Sequence, residues 1–303
     1  MYVRVLGSAA GGGFPQWNTN VGLNRKLHEG TTRAEARTQS SIAVSADYKH
    51  WLLVNASPDV RQQILDFEAL RAAPESRGTG IGAVLLMDSQ IDHATGLIIL
   101  REGDTLPVWS TRPVYEDLTT GLPLFNVLSH YCGVDWHEID TAADRFAIDG
   151  VPGLSFRAVE LSSAAPPYSP HRGDPHPGDN IGLIVTDETT GGTLFYAPGL
   201  GAPDDSIAAV ARESDCLLVD GTFFTETEMI DQGVGVKPAA AMGHLPQSGE
   251  NGMLAWLANF PDKRRVLIHI NNTNPILDPD SPERATVENA GVEVAHDGME
   301  LKL

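Results

Sequence analysis

Four residues in this chain combine metal-ligand chemistry with the setting of a site: Asp92, His93, Asp220 and His269. Each lies at or just past the end of an apolar run. Val84-Leu85-Leu86-Met87 leads through Asp88-Ser89-Gln90-Ile91 to Asp92-His93, Cys216-Leu217-Leu218-Val219 leads to Asp220, and Val266-Leu267-Ile268 leads to His269. Open α/β sheets place their binding groups just outside the ends of buried strands. Two carboxylates and two imidazoles meeting there form a mixed N/O site, suited to iron, manganese or zinc rather than to a thiolate cluster. A carboxylate straight after four apolar residues, as at Asp220, is costly to bury unless a cation or a cap relieves it. Adjacent residues share no face of a regular strand or helix, so a joint role for Asp92 and His93 predicts an irregular loop. A simpler reading stands beside this one. Asp92 can cap a helix through Ala94-Thr95-Gly96-Leu97-Ile98, and His269 can be a core histidine bonded by the following asparagines. His244, in Met242-Gly243-His244, is a candidate proton donor, ligand support or substrate contact, or a plain loop histidine.

The elements that must position these residues are short. β-type runs cover Tyr2–Leu6, Ser41–Val44, Trp51–Val54, Ala83–Met87, Val108–Ser110, Ile181–Val185, Thr193–Tyr196, Cys216–Val219 and Val266–Ile270. Several are continuously apolar, as strands buried on both faces are. Helical spacing marks Asp59–Glu68, Ile207–Arg212 and Gly252–Asn259, and Glu116–Leu118 can open another helix. Strands in pairs, then strands alternating with helices, indicate α/β or mixed α+β with sheets covered by helices, and the length allows one large domain or two medium ones. The irregular stretch Ala164–Asn180, with five prolines, two histidines and Arg172, has the length and polarity of a lid or binding loop, or of a proline-stiffened connection. Gly7–Gly13 lacks the ending of a phosphate loop and points instead to close backbone approach at a sheet end.

Composition narrows the partners. The chain has 303 residues and a formal charge of -19, which disfavours nucleic acid and anionic membranes. Cys132 and Cys216 are the two cysteines, too few for a disulfide framework, and a reducing, cytoplasmic setting is expected. The N-terminus has no basic and apolar leader pattern, and no apolar run nears the ~20 residues of a membrane span, so no membrane insertion is expected.

Asp92-His93 resembles the end of the His-x-His-x-Asp-His motif of the metallo-β-lactamase superfamily, with Asp88 and Gln90 standing where that motif has its first two histidines. Asp220 and His269 resemble its bridging aspartate and last histidine. Longer stretches narrow the likeness: Gly7–Asn18, Arg37–Ile42, Asn55–Arg61, Ala165–Asn180, Tyr196–Gly201 and His269–Leu277. Together they resemble the coenzyme PQQ synthesis protein B family along essentially the whole chain. The resemblance implies an α/β fold, a four-layer αβ/βα sandwich forming a single metallo-β-lactamase-like domain over residues 1–303, and a place in biosynthesis of pyrroloquinoline quinone (PQQ) from a peptide-derived Glu-Tyr precursor, with other PQQ biosynthesis proteins as possible partners.

For the activity it implies either an iron-dependent hydroxylase of the tyrosine ring or a carrier of the quinone or its precursor toward the periplasm. Metal-dependent hydrolysis is the superfamily alternative. A dizinc hydrolase holds two ions roughly 3.5–4 Å apart, and the first of them needs the histidines replaced here. The expectation is therefore one Fe(II), or zinc as isolated, on Asp92, His93, Asp220 and His269, with O2 as co-substrate and His244 in the chemistry. Tyr168, His171 and Arg172 are expected to grip the substrate, arginine being suited to carboxylates. Relatives carry cysteines where this chain has Thr19, Val21 and Asn24, so no structural zinc is expected there.

Overall fold

The computed structural model describes residues 1–303. Two sheets stack face to face. The first contains β1 (Tyr2–Gly7), β2 (Ser41–Ser45), β3 (Trp51–Val54), β4 (Ile81–Leu85), β5 (Leu106–Ser110) and β6 (Val134–Glu138). The second contains β7 (Leu154–Glu160), β8 (Ile181–Asp187), β9 (Thr193–Ala197), β10 (Cys216–Asp220), β11 (Arg264–Ile268) and β12 (Glu293–Val294). The chain then returns to the first sheet, where β13 (Glu300–Lys302) pairs antiparallel with β1. The sheet orders are β13-β1-β2-β3-β4-β5-β6 and β12-β11-β10-β9-β8-β7. Each sheet opens with antiparallel hairpins and continues in parallel from β3 and from β9.

Alternation along the strands builds the layers, because successive side chains point to opposite faces. Leu52, Val54, Ala83 and Leu85 of the first sheet meet Leu183, Val185, Tyr196, Leu218 and Ile268 of the second in a central core of 27 buried residues. The intervening residues Trp51, Leu53, Val84 and Val108 face outward onto one helical layer. Phe195, Leu217, Val219 and Leu267 face outward onto the other. Helices α1 (Gly22–His28), α2 (Val60–Asp66), α3 (Ile91–Ala94), α4 (Arg112–Thr119), α5 (Leu124–Leu128), α6 (Asp205–Glu213), α7 (Glu228–Asp231), α8 (Met253–Leu257) and α9 (Pro282–Asn289) are all short. The result is the expected four-layer αβ/βα sandwich. No helix is long and apolar enough to cross a membrane.

The continuously apolar runs are the strands β4, β10 and β11, whose C-terminal ends meet at one edge of the sandwich. Asp220 is in register with Ile268 on parallel neighbours. Across the sandwich, the Ile181 N–H donates to Met87 O at 3.0 Å, and Ala9, just past β1, bridges to Ile270. Two bonds between sheets thus draw the strand ends together.

Leu85 is completely buried in the central core. Leu85→Ala should cost about 2–5 kcal/mol in urea unfolding, whereas Leu65→Ala, 46% exposed on α2, should stay within roughly 0.5 kcal/mol of the parent.

Candidate metal centre

After β4 the chain does not run on as an irregular loop. Asp92 and His93 lie in α3, a single helical turn that starts after Gln90. No side chain caps that turn, so Asp92 is a first-turn residue and not the cap of a following helix. Adjacent side chains on a helix diverge, but the His93 ring turns back, leaving its Nε2 3.8 Å from Asp92 Oδ2. Asp88 sets that ring. Its two carboxylate oxygens accept from His93 Nδ1 at 2.8 and 2.9 Å, so the opposite nitrogen, Nε2, faces the site. His93 Nε2 is buried and has no hydrogen-bond partner in the protein. A buried ring nitrogen left open in this way, beside a carboxylate, fits a metal ligand.

The other candidate ligands come from the ends of β10 and β11. Asp220 is fully buried and accepts from the Thr222 N–H (2.8 Å), the Thr222 hydroxyl and His244 Nδ1 (2.7 Å). His269 places its Nδ1 2.9 Å from Thr222 Oγ1 and its Nε2 3.4 Å from Asp92 Oδ2. In the tautomer that donates Nδ1–H to Thr222, His269 turns an Nε2 lone pair toward Asp92. His269 holds a left-handed backbone, φ 61°, which is sparsely populated for a residue with a side chain and typical of functional sites. Gly11 explains the glycine-rich loop: a Cβ there would lie 3.2 Å from Asp92 Oδ2, so the backbone approaches the site closely.

The ligand atoms fall into two groups, each within 4.8 Å: Asp92, His93 and His269, and Asp220, His244 and His269. His269 belongs to both. His244, expected near the chemistry, thus stands at ligand distance, and the four residues expected to share one ion divide between the two groups. Gln90 supplies the N-cap position of α3, and Asp88 is spent on His93. Burial opposes charge on His93, yet the Asp88 and Asp92 carboxylates overrule it and push its pKa up to about 9. Burial likewise would raise Asp92, but the His93 and His269 rings hold it well below the usual carboxylate range. His244 is also pushed up, because Asp220 outweighs its burial.

Two features escaped sequence reasoning. Asp88 locks His93 from five residues away, and Thr222 gathers Asp220, His244 and His269 around one hydroxyl. The segment Asn271–Asn274, an amide run, serves the turn after His269. Asn274 Nδ2 donates to the carbonyls of Gly221 (3.0 Å) and Thr222 (3.1 Å), and the Thr273 hydroxyl bonds to Glu228 of α7. Where cysteines were expected to be missing, Asn24 is buried, accepting from the Gln16 N–H and donating to Asn272 O and Oδ1. Thr19, Val21 and Asn24 give no thiolate set for zinc; an amide network holds this segment instead.

The segment 164–180 lies over the same edge as a strap. The Tyr168 hydroxyl donates to Ser89 O, His171 Nε2 lies 3.0 Å from Glu116 Oε2, and Arg172 Nη1 donates to Ala165 O at 2.5 Å. Tyr168 and His171 are half-buried and Arg172 is exposed.

Two outcomes test this geometry. Asp88→Ala should weaken zinc binding about 10–100-fold in a chelator-competition titration, as losing the partner of a ligating histidine does. Glu228 is 5% exposed, and burial raises its pKa from 4.5 to about 7. A carboxyl raised on folding stabilises most below its unfolded pKa, and that contribution is lost as pH rises through about 7. It amounts to on the order of 3 kcal/mol. Glu228→Gln should therefore flatten the unfolding free energy between about pH 4.5 and 7.

Comparison with known proteins agrees with this architecture. Residues 50–270 match the Beta-lactamase superfamily domain. Coenzyme PQQ synthesis protein B of Pseudomonas entomophila (strain L48) is 58% identical over 304 aligned positions, and that of Pseudomonas savastanoi pv. phaseolicola is 56% identical, all chains being covered in full. The crystal structure of Zn(2+)-bound PqqB from Methylobacterium extorquens superposes with a TM-score of 0.89 at 37% identity, both chains covered completely. A diphosphatase of the PhnP family shares the fold at 18% identity, with a TM-score of 0.69 and 99% and 96% of the two chains covered. With the fold and full-length identity in accord, the chain belongs to the coenzyme PQQ synthesis protein B family, within the β-lactamase superfamily.

Proposed function

We propose that this chain, acting as one domain in the cytoplasm, serves PQQ biosynthesis as a mononuclear, iron- and O2-dependent hydroxylase. Its substrate is the tyrosine ring of a Glu-Tyr-type precursor derived from a peptide, received from or passed to other proteins of that biosynthesis. The observation that carries the reading is the division of labour at α3. Asp92, His93 and His269 offer one N/O group, while Asp88, at the place of a dizinc ligand, is engaged in orienting His93. Two imidazoles and a carboxylate with remaining positions open resemble the ligand set of non-haem Fe(II) oxygenases. Zinc also suits these donors, as the zinc-bound relative illustrates. Bound there, iron would supply the O2-dependent redox chemistry, and Asp220 stands in the neighbouring group with His244 and the same His269.

The protein's own part is positioning and proton handling. His244 shares a proton between its Nδ1 and Asp220 Oδ2, which suits it to hold the proton of a ring hydroxyl. Tyr168, His171 and Arg172 on the strap are assigned to the substrate, the exposed Arg172 guanidinium to its carboxylates.

Protein purified anaerobically, loaded with Fe(II) and supplied with a two-electron reductant such as ascorbate should consume O2 and hydroxylate a Glu-Tyr-type substrate, the second oxygen atom leaving as water. Asp92→Ala and His269→Ala should lower turnover by at least a hundredfold, and Arg172→Ala should raise KM. Two metal ions per chain would contradict the single-centre reading. Ester or amide cleavage with zinc and no O2 would favour a hydrolase, and tight binding without chemical change would favour a carrier.

A further inference from the structure

Asp117, in the last turn of α4, plays no part in the site as described, yet it is 1% exposed. A buried carboxylate near a helix C-terminus sits against the negative end of the helix dipole, and burial without partners is costly. Two hydroxyls compensate it. Ser89 Oγ donates to Oδ2 at 2.5 Å, and Ser169 Oγ donates to Oδ1. These serines belong to different structures. Ser89, fully buried, follows Asp88, the residue that orients His93. Ser169 belongs to the strap, and its neighbour Tyr168 donates its hydroxyl to Ser89 O. Both the side chain and the carbonyl of Ser89 are therefore tied to the strap region. The other end of the strap is pinned to the start of the same helix, where Thr111 Oγ1 donates to Gly178 O at 2.6 Å.

We propose that Asp117 is a positioning residue that couples seating of the strap to the orientation of the metal-ligand turn. One carboxylate holds a hydroxyl from each. Lifting the strap breaks the Ser169–Asp117 and Tyr168–Ser89 bonds together, and so loosens the peptide that carries Asp88. By linkage the effect runs both ways: metal bound at His93 favours a seated strap, and a seated strap favours the metal. The inference rests on the metal-centre reading, but not on the identity of the substrate or the reaction.

The test uses Co(II) as the probe, its affinity and visible d–d absorption measured by titration, together with hydrogen exchange across residues 164–180. In the parent protein Co(II) should slow exchange of the strap. Ser169→Ala, which removes the strap hydroxyl alone, should speed that exchange, weaken Co(II) about tenfold and alter its absorption. Asp117→Asn, isosteric but with an amide donor in place of one acceptor oxygen, should do the same. The proposal is overturned if Ser169→Ala frees the strap while Co(II) affinity and spectrum stay unchanged, or if Co(II) leaves strap exchange in the parent unaltered. Failure of the parent protein to bind Co(II) at all would overturn the metal-centre reading as well.

Discussion

Negative charge buried with no lysine or arginine to meet it is the constraint around which this edge of the molecule is built. Asp88 is 7% exposed and Asp220 fully buried, Asp92 stands beside them, and the ion-pair partners of all three are histidines. Elsewhere the chain satisfies its buried acids by ordinary means. Asp187 meets the N-terminal ammonium, and Asp297 accepts from Ser8 and Thr38. At the strand ends, by contrast, the compensating groups are imidazoles that can give up their protons. A cluster of this kind is stable in two ways: protonated rings among carboxylates, or neutral rings and carboxylates around a cation.

Holding such a cluster asks for unusual backbone. The left-handed conformation at His269 costs of order 1–3 kcal/mol, and the surroundings over-determine it. Its carbonyl oxygen lies 2.9 Å from Thr222 Oγ1, and the next N–H, of Ile270, donates to Ser8 O. Asn55 has the same strained sign of φ, 61°, and its side-chain oxygen accepts from the Met87 N–H at the end of β4. Two of the four non-glycine residues with positive φ thus lie beside the ends of β4 and β11, while the strands themselves are closely packed. The sandwich core supplies rigidity, and the turns beyond it use that rigidity to fix side-chain direction.

The legible part of the sequence follows from this. Strands buried on both faces, β4, β10 and β11, show as continuous apolar runs, so their ends and the ligands there can be placed from residue order alone. Edge strands carry a weaker signal. β6 is half-exposed, with Asp135, His137 and Glu138 along it, and β12 has two residues. β7 does alternate, with Leu154, Phe156 and Ala158 inward, but Ser155 and Arg157 interrupt any apolar run. Asp92-His93 reads as a loop because neighbours on regular structure diverge; a one-turn helix with a ring pulled back by Asp88 satisfies both demands. That inward pull, and the gathering of three ligands by Thr222, depend on contacts between strand ends, which spacing along a chain does not encode. His244 signalled only a turn, and the reason for its place, the hydrogen bond to Asp220, lies 24 residues away.

The Asn24 clasp carries a further consequence. Amide-to-amide bonds joining Gln16, Asn24 and Asn272 neither oxidise as thiolates do nor compete with the candidate centre for metal. This segment, set against the loop that follows His269, keeps its shape regardless of zinc supply or oxidant load. For a protein whose proposed work brings dioxygen to its surface, that leaves this one clasp without a thiolate to lose to oxidation or to metal starvation.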